Sequence, residues 1–528
     1  MPYFSRKKLI LSAALTVALT IANAVLVPAS AAELKIGLAA DVSSLDPHYL
    51  NIAPNISFAS HLFDALVNVD ANGRLIPGLA TSWKAVDAIT WEFKLRHGVK
   101  FHDGSELTAD DVIFSLDRPA TLTNSPGPFT SYTKQIISKQ AVDAYTIRLK
   151  TAKPYGPLPL DVSSIFIVSK KAALHASTDD FNSGKALIGT GPFKFVSFKR
   201  GDSIQVARND SYWGEKAAWD KVTFRIITSG APRVAALLAG DVDAIDGVPP
   251  ADIARLKTNA KFKLEQKISW RTLFWELDQQ ARVSPYITDK AGKPLAVNPL
   301  RDVRVRQAIS KAINRKALTE RTLEGLAVPA SNIVAPGILG YNSSLQVEAY
   351  DPEGAKKLLA AAGYPNGFAL TLQGPNNRYI NDEQVVQTVA QFLSKVGIQA
   401  KVETLPLAVY FPKVSKGDFS MALLGWGTLA TDFGLRTLAG TPNPDTGWGT
   451  WNWGKYSNPA LDELVRSSLS SVDEAKREDF AKKAAALALK DYALIPLHHQ
   501  YATWALRKGI KYAARTDEFT FAHEFKPE

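Results

Sequence analysis

The sequence predicts an α/β protein built from about three units. Its 528 residues set the count, at roughly 150 residues per domain. Short apolar strands alternate with amphipathic helices in the second half, which implies α/β layers with some parallel pairing. With 46% hydrophobic, 21% charged and 10% aromatic residues, the chain can bury a normal core and is far from disorder.

Arg6, Lys7 and Lys8 open the chain without an acidic residue, and Leu9 to Val27 is an uncharged run. Pro28-Ala29-Ser30-Ala31-Ala32-Glu33 follows, a small-residue cut of the A-x-A kind. That order marks residues 1–32 as a secretory signal peptide. Cleavage takes three positive charges from the net +11 and leaves +8. The remaining charge is spread along the chain, so it favours solubility and excludes a nucleic-acid binder. No later stretch approaches ~20 apolar residues, so nothing else is expected to span a membrane. Zero Cys excludes a lipid-anchored N-terminal Cys, disulfides, thiolate metal sites and a cysteine nucleophile. The expected mature protein is exported, soluble and periplasmic.

Leu34 to Leu38 alternates as a first strand. Trp91 to Leu95 alternates again, and His97-Gly98 is expected to turn it back into Val99-Lys100-Phe101. Thr108 to Asp111 has capping-box spacing and starts a helix through Val112, Ile113, Phe114 and Leu116. Phe193 to Val196 and Ile204 to Val206 flank Arg200-Gly201-Asp202 as a hairpin. Val222 to Ile227 is a strand, and Arg233 to Ala239 a helix stopped by Gly240. Later, Val305, Ala308, Ile309, Ala312 and Ile313 share one helical face, as do Val385, Val386, Val389, Phe392 and Leu393. Strands at Phe368 to Leu372, Ile398 to Val402 and Phe419 to Leu424 lie between and after them. Ser471-Val472-Asp473-Glu474 reads as a capping box for a helix reaching Leu489, and Tyr501 to Leu506 is a last strand.

Two glycine patterns suggest nucleotides and fail on chemistry. Gly425 to Ala430 fits G-x-G-x-x-A, but Trp426 puts a ring where a pyrophosphate needs close backbone approach. Gly449 to Lys455 fits G-x-x-x-x-G-K, but Tyr456 replaces the Ser or Thr that holds magnesium. The eight His form no ligand cluster, and His498-His499 point opposite ways on a strand. There is no G-x-S-x-G elbow. No metal, cofactor or catalytic residue is therefore expected. Trp426, Trp448, Trp451 and Trp453 crowd one Gly/Pro/Asn-rich stretch, which can line a binding surface or plug a core.

Several long motifs in order carry a resemblance. Pro77 to Trp83 is followed by Trp91-Glu-Phe-Lys-Leu-Arg-His-Gly-Val-Lys-Phe-His-Asp-Gly104 and by Thr108 to Leu116. Ser44-Leu-Asp-Pro47, Gly189 to Phe193, Asp302 to Ile309 and Tyr456 to Pro459 support them. Over residues 33–510 the chain resembles the periplasmic solute-binding proteins that serve ABC importers for dipeptides, oligopeptides, nickel and opines, family 5 of the extracellular solute-binding proteins. The resemblance implies a two-lobed periplasmic-binding-protein fold with a hinge and an extra domain inserted in the first lobe. Lobe I would take 33–64, 190–272 and 498–528, the extra domain 65–189, and the other lobe 273–497. It implies a monomer that closes on a small solute, peptide or peptide-like, and delivers it to permease subunits at the inner membrane. An opine, a sugar-derived solute or a metal chelate is the alternative cargo, and an exported hydrolase the rival class.

The same resemblance implies site residues. Asn51, Ile52 and Ala53, just after S-L-D-P-H, line the cleft. Gly425, Trp426 and Gly427 offer a strand edge to an extended ligand, and Tyr132 approaches it. Peptide binders of the family usually carry an Asp three residues after the Trp of G-W, to hold the ligand's ammonium. Leu429 stands there, and Asp432 is the substitute within reach. A free α-amino group is then recognised differently or absent from the ligand. From the residues themselves, Arg378 and Tyr379 precede a helix start at Asn381-Asp382, a place suited to an anion, and Arg436 is a second basic candidate.

Overall fold

The computed structural model describes residues 32–280 and 282–528. The expected leader lies outside the described residues, apart from Ala32. Glu33–Leu38 forms a strand with Leu34 and Ile36 fully buried, and it pairs in parallel with Lys221–Ile226 on one side and Ala244–Asp246 on the other. Arg200-Gly201-Asp202 turns Phe193–Lys199 back onto Ser203–Arg208, with Gly201 at φ +70°. In the second half Ala369–Pro375 pairs in parallel with Gln399–Leu405 and Met421–Gly427. The helices Val303–Ala312 and Asp382–Ser394 turn their apolar faces onto this layer.

Two long strands join the halves. Phe262–Leu277 and Ile495–Arg507 run antiparallel through one twelve-stranded sheet. Phe262 to Ile268 pairs with the part of Ile495–Arg507 that also meets Ala244–Asp246. Arg271 to Leu277 pairs with Met421–Gly427. The register breaks between Ile268 and Thr272, so Ser269, Trp270 and Arg271 form an irregularity where the sheet passes from one half to the other. This is the geometry of a two-strand hinge, with separate buried clusters on either side.

A third packed unit forms from the chain between the first strand and Phe193–Lys199. Ala80–Asp87, Thr90–Leu95, Thr146–Thr151 and Ile136–Asp143 make a four-stranded antiparallel sheet over its own core of Phe93, Val112, Phe129 and Leu149. Thr90–Leu95 is central here, pairing with Ala80–Asp87 and Thr146–Thr151. The expected return onto Val99 to Phe101 is not made; Lys100 bridges only Glu106. Both edges of Thr90–Leu95 are taken by longer strands, which leaves no room for a short hairpin. The helix at Glu474–Lys490 is capped by Asp473, which accepts the Lys476 N–H at 3.0 Å, rather than by Ser471. At Gly156 this unit touches the second half. The Gly156 N–H donates to the Leu469 carbonyl at 2.8 Å.

Candidate functional site

A cleft of about 780 Å³ opens where the two halves meet. Its walls come from the loop after the first strand, the start of helix Ala53–Ala59, the crossing strands, the loop before helix Asp382–Ser394, and the C-terminal tail. The structure brings Ile52, Ala53, Arg378 and Tyr379 to this one space, although they are more than 300 positions apart.

Asp382 builds the corner that holds Arg378. Its Oδ2 accepts the N–H groups of Arg378 and Tyr379 at 2.8 and 3.0 Å. The Tyr379 hydroxyl accepts the Gly425 N–H at 2.9 Å, pinning this corner to the Gly425-Trp426-Gly427 strand. A Cβ at Gly425 would sit 2.7 Å from the Tyr379 ring, so glycine permits the contact. The Arg378 guanidinium is exposed, lies 5.6 Å from the Tyr379 ring centre, and has no carboxylate within 4 Å among the described residues.

Met421–Gly427 pairs with Phe262–Leu277 along one edge, while its other edge meets Ala369–Pro375 only at Met421 and Ala422. Because Gly425 directs its N–H away from the ladder, the antiparallel alternation turns Gly427 the same way. Asn51 and Tyr132 also meet, the Asn51 amide donating to the Tyr132 hydroxyl at 3.3 Å. Tyr132 is mostly buried and packs on the core of the inserted unit, and it lies outside the lining of the cleft, as do Asn51, Gly425, Trp426 and Gly427.

Asp432 is elsewhere. It is fully buried, and Arg477 donates to both of its oxygens at 2.8 and 3.1 Å. Ser468 and the Phe433 N–H complete its shell at 3.0 and 2.8 Å. Its lone pairs are committed inside the fold, which corrects its placing as a ligand anchor. Leu429 faces a separate space of about 700 Å³ beside Gly73 and Arg477. Trp451 stacks on Trp453 at 4.9 Å and meets Trp426 edge-on at 5.0 Å, so these rings plug the second half's core. Arg436 lies over Phe433 at 4.9 Å, with its Nε buried and unpartnered among the described residues.

Sequence reasoning missed the cleft's other charged groups. Arg271, at the irregularity in the crossing strand, donates to both oxygens of Glu518 at 2.9 and 3.3 Å. Burial alone would raise the Glu518 carboxyl, but Arg271 and Ser269 overcome it and hold the group below its usual range. Glu518 has φ +66°, a left-handed conformation uncommon outside glycine. Asp246 and Arg233 enter from the first half. A basic residue inside the apolar run Trp270 to Trp275 was the one local signal. Among the described residues no group of His, Asp and Glu is arranged to hold a metal ion, and no helix is long and apolar enough to cross a membrane.

Residues 74–442 match the sequence pattern described as bacterial extracellular solute-binding proteins, family 5 middle. The dipeptide-binding protein of Escherichia coli K12 is 29% identical over 469 residues, covering 83% of each chain. The structure of HbpA2 from Haemophilus parasuis superposes with a TM-score of 0.81 at 26% identity, over 94% of this chain and 100% of its own. The AgaA binding protein of A. tumefaciens R10, solved with agropinic acid, superposes with a TM-score of 0.71 at 25% identity, over 94% and 99%. With this pattern over most of its length and a cleft between two hinged halves, the chain belongs to the family 5 extracellular solute-binding proteins, the solute-binding components of ABC importers.

Proposed function

We propose that this protein captures a small carboxylated solute, peptide-like or opine-like, in the cleft between its halves and hands it to an inner-membrane permease. The observation that carries the reading is the Arg378 guanidinium, unpaired in the 780 Å³ cleft and aimed by Asp382 beside Tyr379. A planar fork without an internal partner suits a carboxylate, which it can hold through two charge-assisted bonds. Ile52 and Ala53 supply an apolar wall, and the Gly427 N–H, on the edge that Ala369–Pro375 leaves unpaired beyond Ala422, is a backbone donor for an extended ligand. The dipeptide-binding relative and the agropinic acid complex support a ligand of this size and charge.

The rest of the reading follows the same lines. The protein is exported by the leader at 1–32 to the periplasm and works as a monomer. Its lobes divide at 33–64 with 190–272 and 498–528, at 65–189, and at 273–497; separate buried clusters support three units, with Phe166, Phe181 and Leu187 from the end of 65–189 packing into the first lobe's core. Calorimetry with agropinic acid and a set of dipeptides tests the site. Arg378→Ala should weaken the tightest of them by ~1.5–3 kcal/mol. Unchanged affinity in that variant would sink the reading.

A further inference from the structure

Among the described residues five charged side chains line the cleft: Arg233, Asp246, Arg271, Arg378 and Glu518. Arg271 and Glu518 neutralise each other in a two-bond pair. The Arg233 guanidinium is committed to backbone, donating to the carbonyls of Ile227, Thr228, Asp246 and Gly247. Two charges have no opposite charge within 4 Å among the described residues, Arg378 on the second half and Asp246 on the first.

Asp246 ends the strand Ala244–Asp246, next to the crossing strand Ile495–Arg507. Its Oδ1 accepts the Ala39 N–H at 2.6 Å, which fixes the carboxylate at the cleft wall. Among the described residues its Oδ2 accepts only from the Thr520 hydroxyl, at a long 3.3 Å. No Lys or Arg nitrogen lies within 4 Å of it among the described residues, although Arg233 is adjacent. Burial holds the carboxyl above its ordinary range in spite of the Ala39 bond and the Arg233 charge, as expected of a desolvated acid without a contacting cation.

We propose that Asp246 is the acceptor for a cationic group of the solute, an ammonium, so that the cleft takes a zwitterion bridging Asp246 on one half and Arg378 on the other. The inference rests on the reading of the cleft given above and names the substrate class more narrowly. A ligand that joins opposite charges on the two halves draws them together, because each half holds a group that the other cannot satisfy. An N-carboxyalkyl amino acid and a free dipeptide both carry the required pair of charges.

The test is calorimetry with a panel of dipeptides and N-carboxyalkyl amino acids, each paired with its N-acetylated form. For wild-type protein the free amine of at least one pair should bind about tenfold or more tighter than its acetylated partner. Asp246→Asn, which keeps an oxygen for the Ala39 N–H, should reduce that preference to less than about twofold. Arg378→Ala should weaken both members of the pair alike. Equal binding of free and acetylated forms to wild type overturns the proposal, as does a preference that survives in Asp246→Asn or a panel that does not bind. If binding needs Arg378 but ignores the amine, only this inference fails; if it ignores Arg378 too, the cleft reading fails with it. Should Asp246→Asn not fold, as judged by circular dichroism, the wild-type comparison alone decides.

Discussion

Removing Asp432 should damage the fold and leave the ligand site alone. Its carboxylate is fully buried and receives two bonds from Arg477, itself 5% exposed, one from Ser468 and one from a backbone N–H. In Asp432→Ala the guanidinium stays buried without its counter-charge. Breaking a buried pair by removing one partner costs about 3–5 kcal/mol, most of it the desolvation of the stranded ion. The helices Thr431–Leu438, Pro459–Ser470 and Glu474–Lys490 meet at this pair, so the loss falls on the second half. Urea unfolding followed by tryptophan fluorescence reads it there, because Trp426, Trp448, Trp451 and Trp453 all sit in that half. Asp432→Leu combined with Arg477→Met should recover much of the loss, since a buried pair barely outperforms apolar side chains of similar volume. Ligand affinity, measured below the unfolding midpoint, should match wild type. A variant that keeps its stability but loses affinity would refute the reasoning and restore Asp432 to the ligand.

Two further outcomes are expected. A Cβ at Gly156 would sit 1.9 Å from the Ser471 carbonyl oxygen, so Gly156→Ala should hold the inserted unit off the second half and break the Gly156–Leu469 bond; it should weaken ligand binding and lower the melting temperature, and an unchanged melting temperature with unchanged affinity would refute the contact. Glu276 is almost fully buried, accepts the Gly454 N–H at 2.7 Å, and is pushed up to about 8 by burial. The folded protein therefore holds this proton over a range where the unfolded chain, ionising near 4.5, has lost it. Its stabilising contribution is complete below that lower value and is lost as pH rises toward 8, by roughly 3–5 kcal/mol in all. In Glu276→Gln the decline between pH 5 and pH 9 should flatten; a parallel decline in both proteins would assign it to other groups.

Local pattern determined the elements. Alternating apolar residues specify strands such as Leu34 to Leu38, and the spacing of Val385, Val386, Val389 and Leu393 specifies a helical face, because both depend only on which side of an element meets the core. The order of motifs from Pro77 to Leu116 was enough to identify the family, and the Arg378-Tyr379 corner was legible because a helix start follows it. What no local pattern holds is the use of a charge. Asp432 and Asp246 are both acids beside apolar residues, yet one is closed off by an arginine 45 positions away while the other faces open space. Arg271 and Glu518 are separated by 247 positions and meet only because the C-terminal tail returns to the irregular strand. Whether a carboxylate is a structural partner or a ligand's counter-charge depends on which cation reaches it in space, and only the tertiary structure decides that.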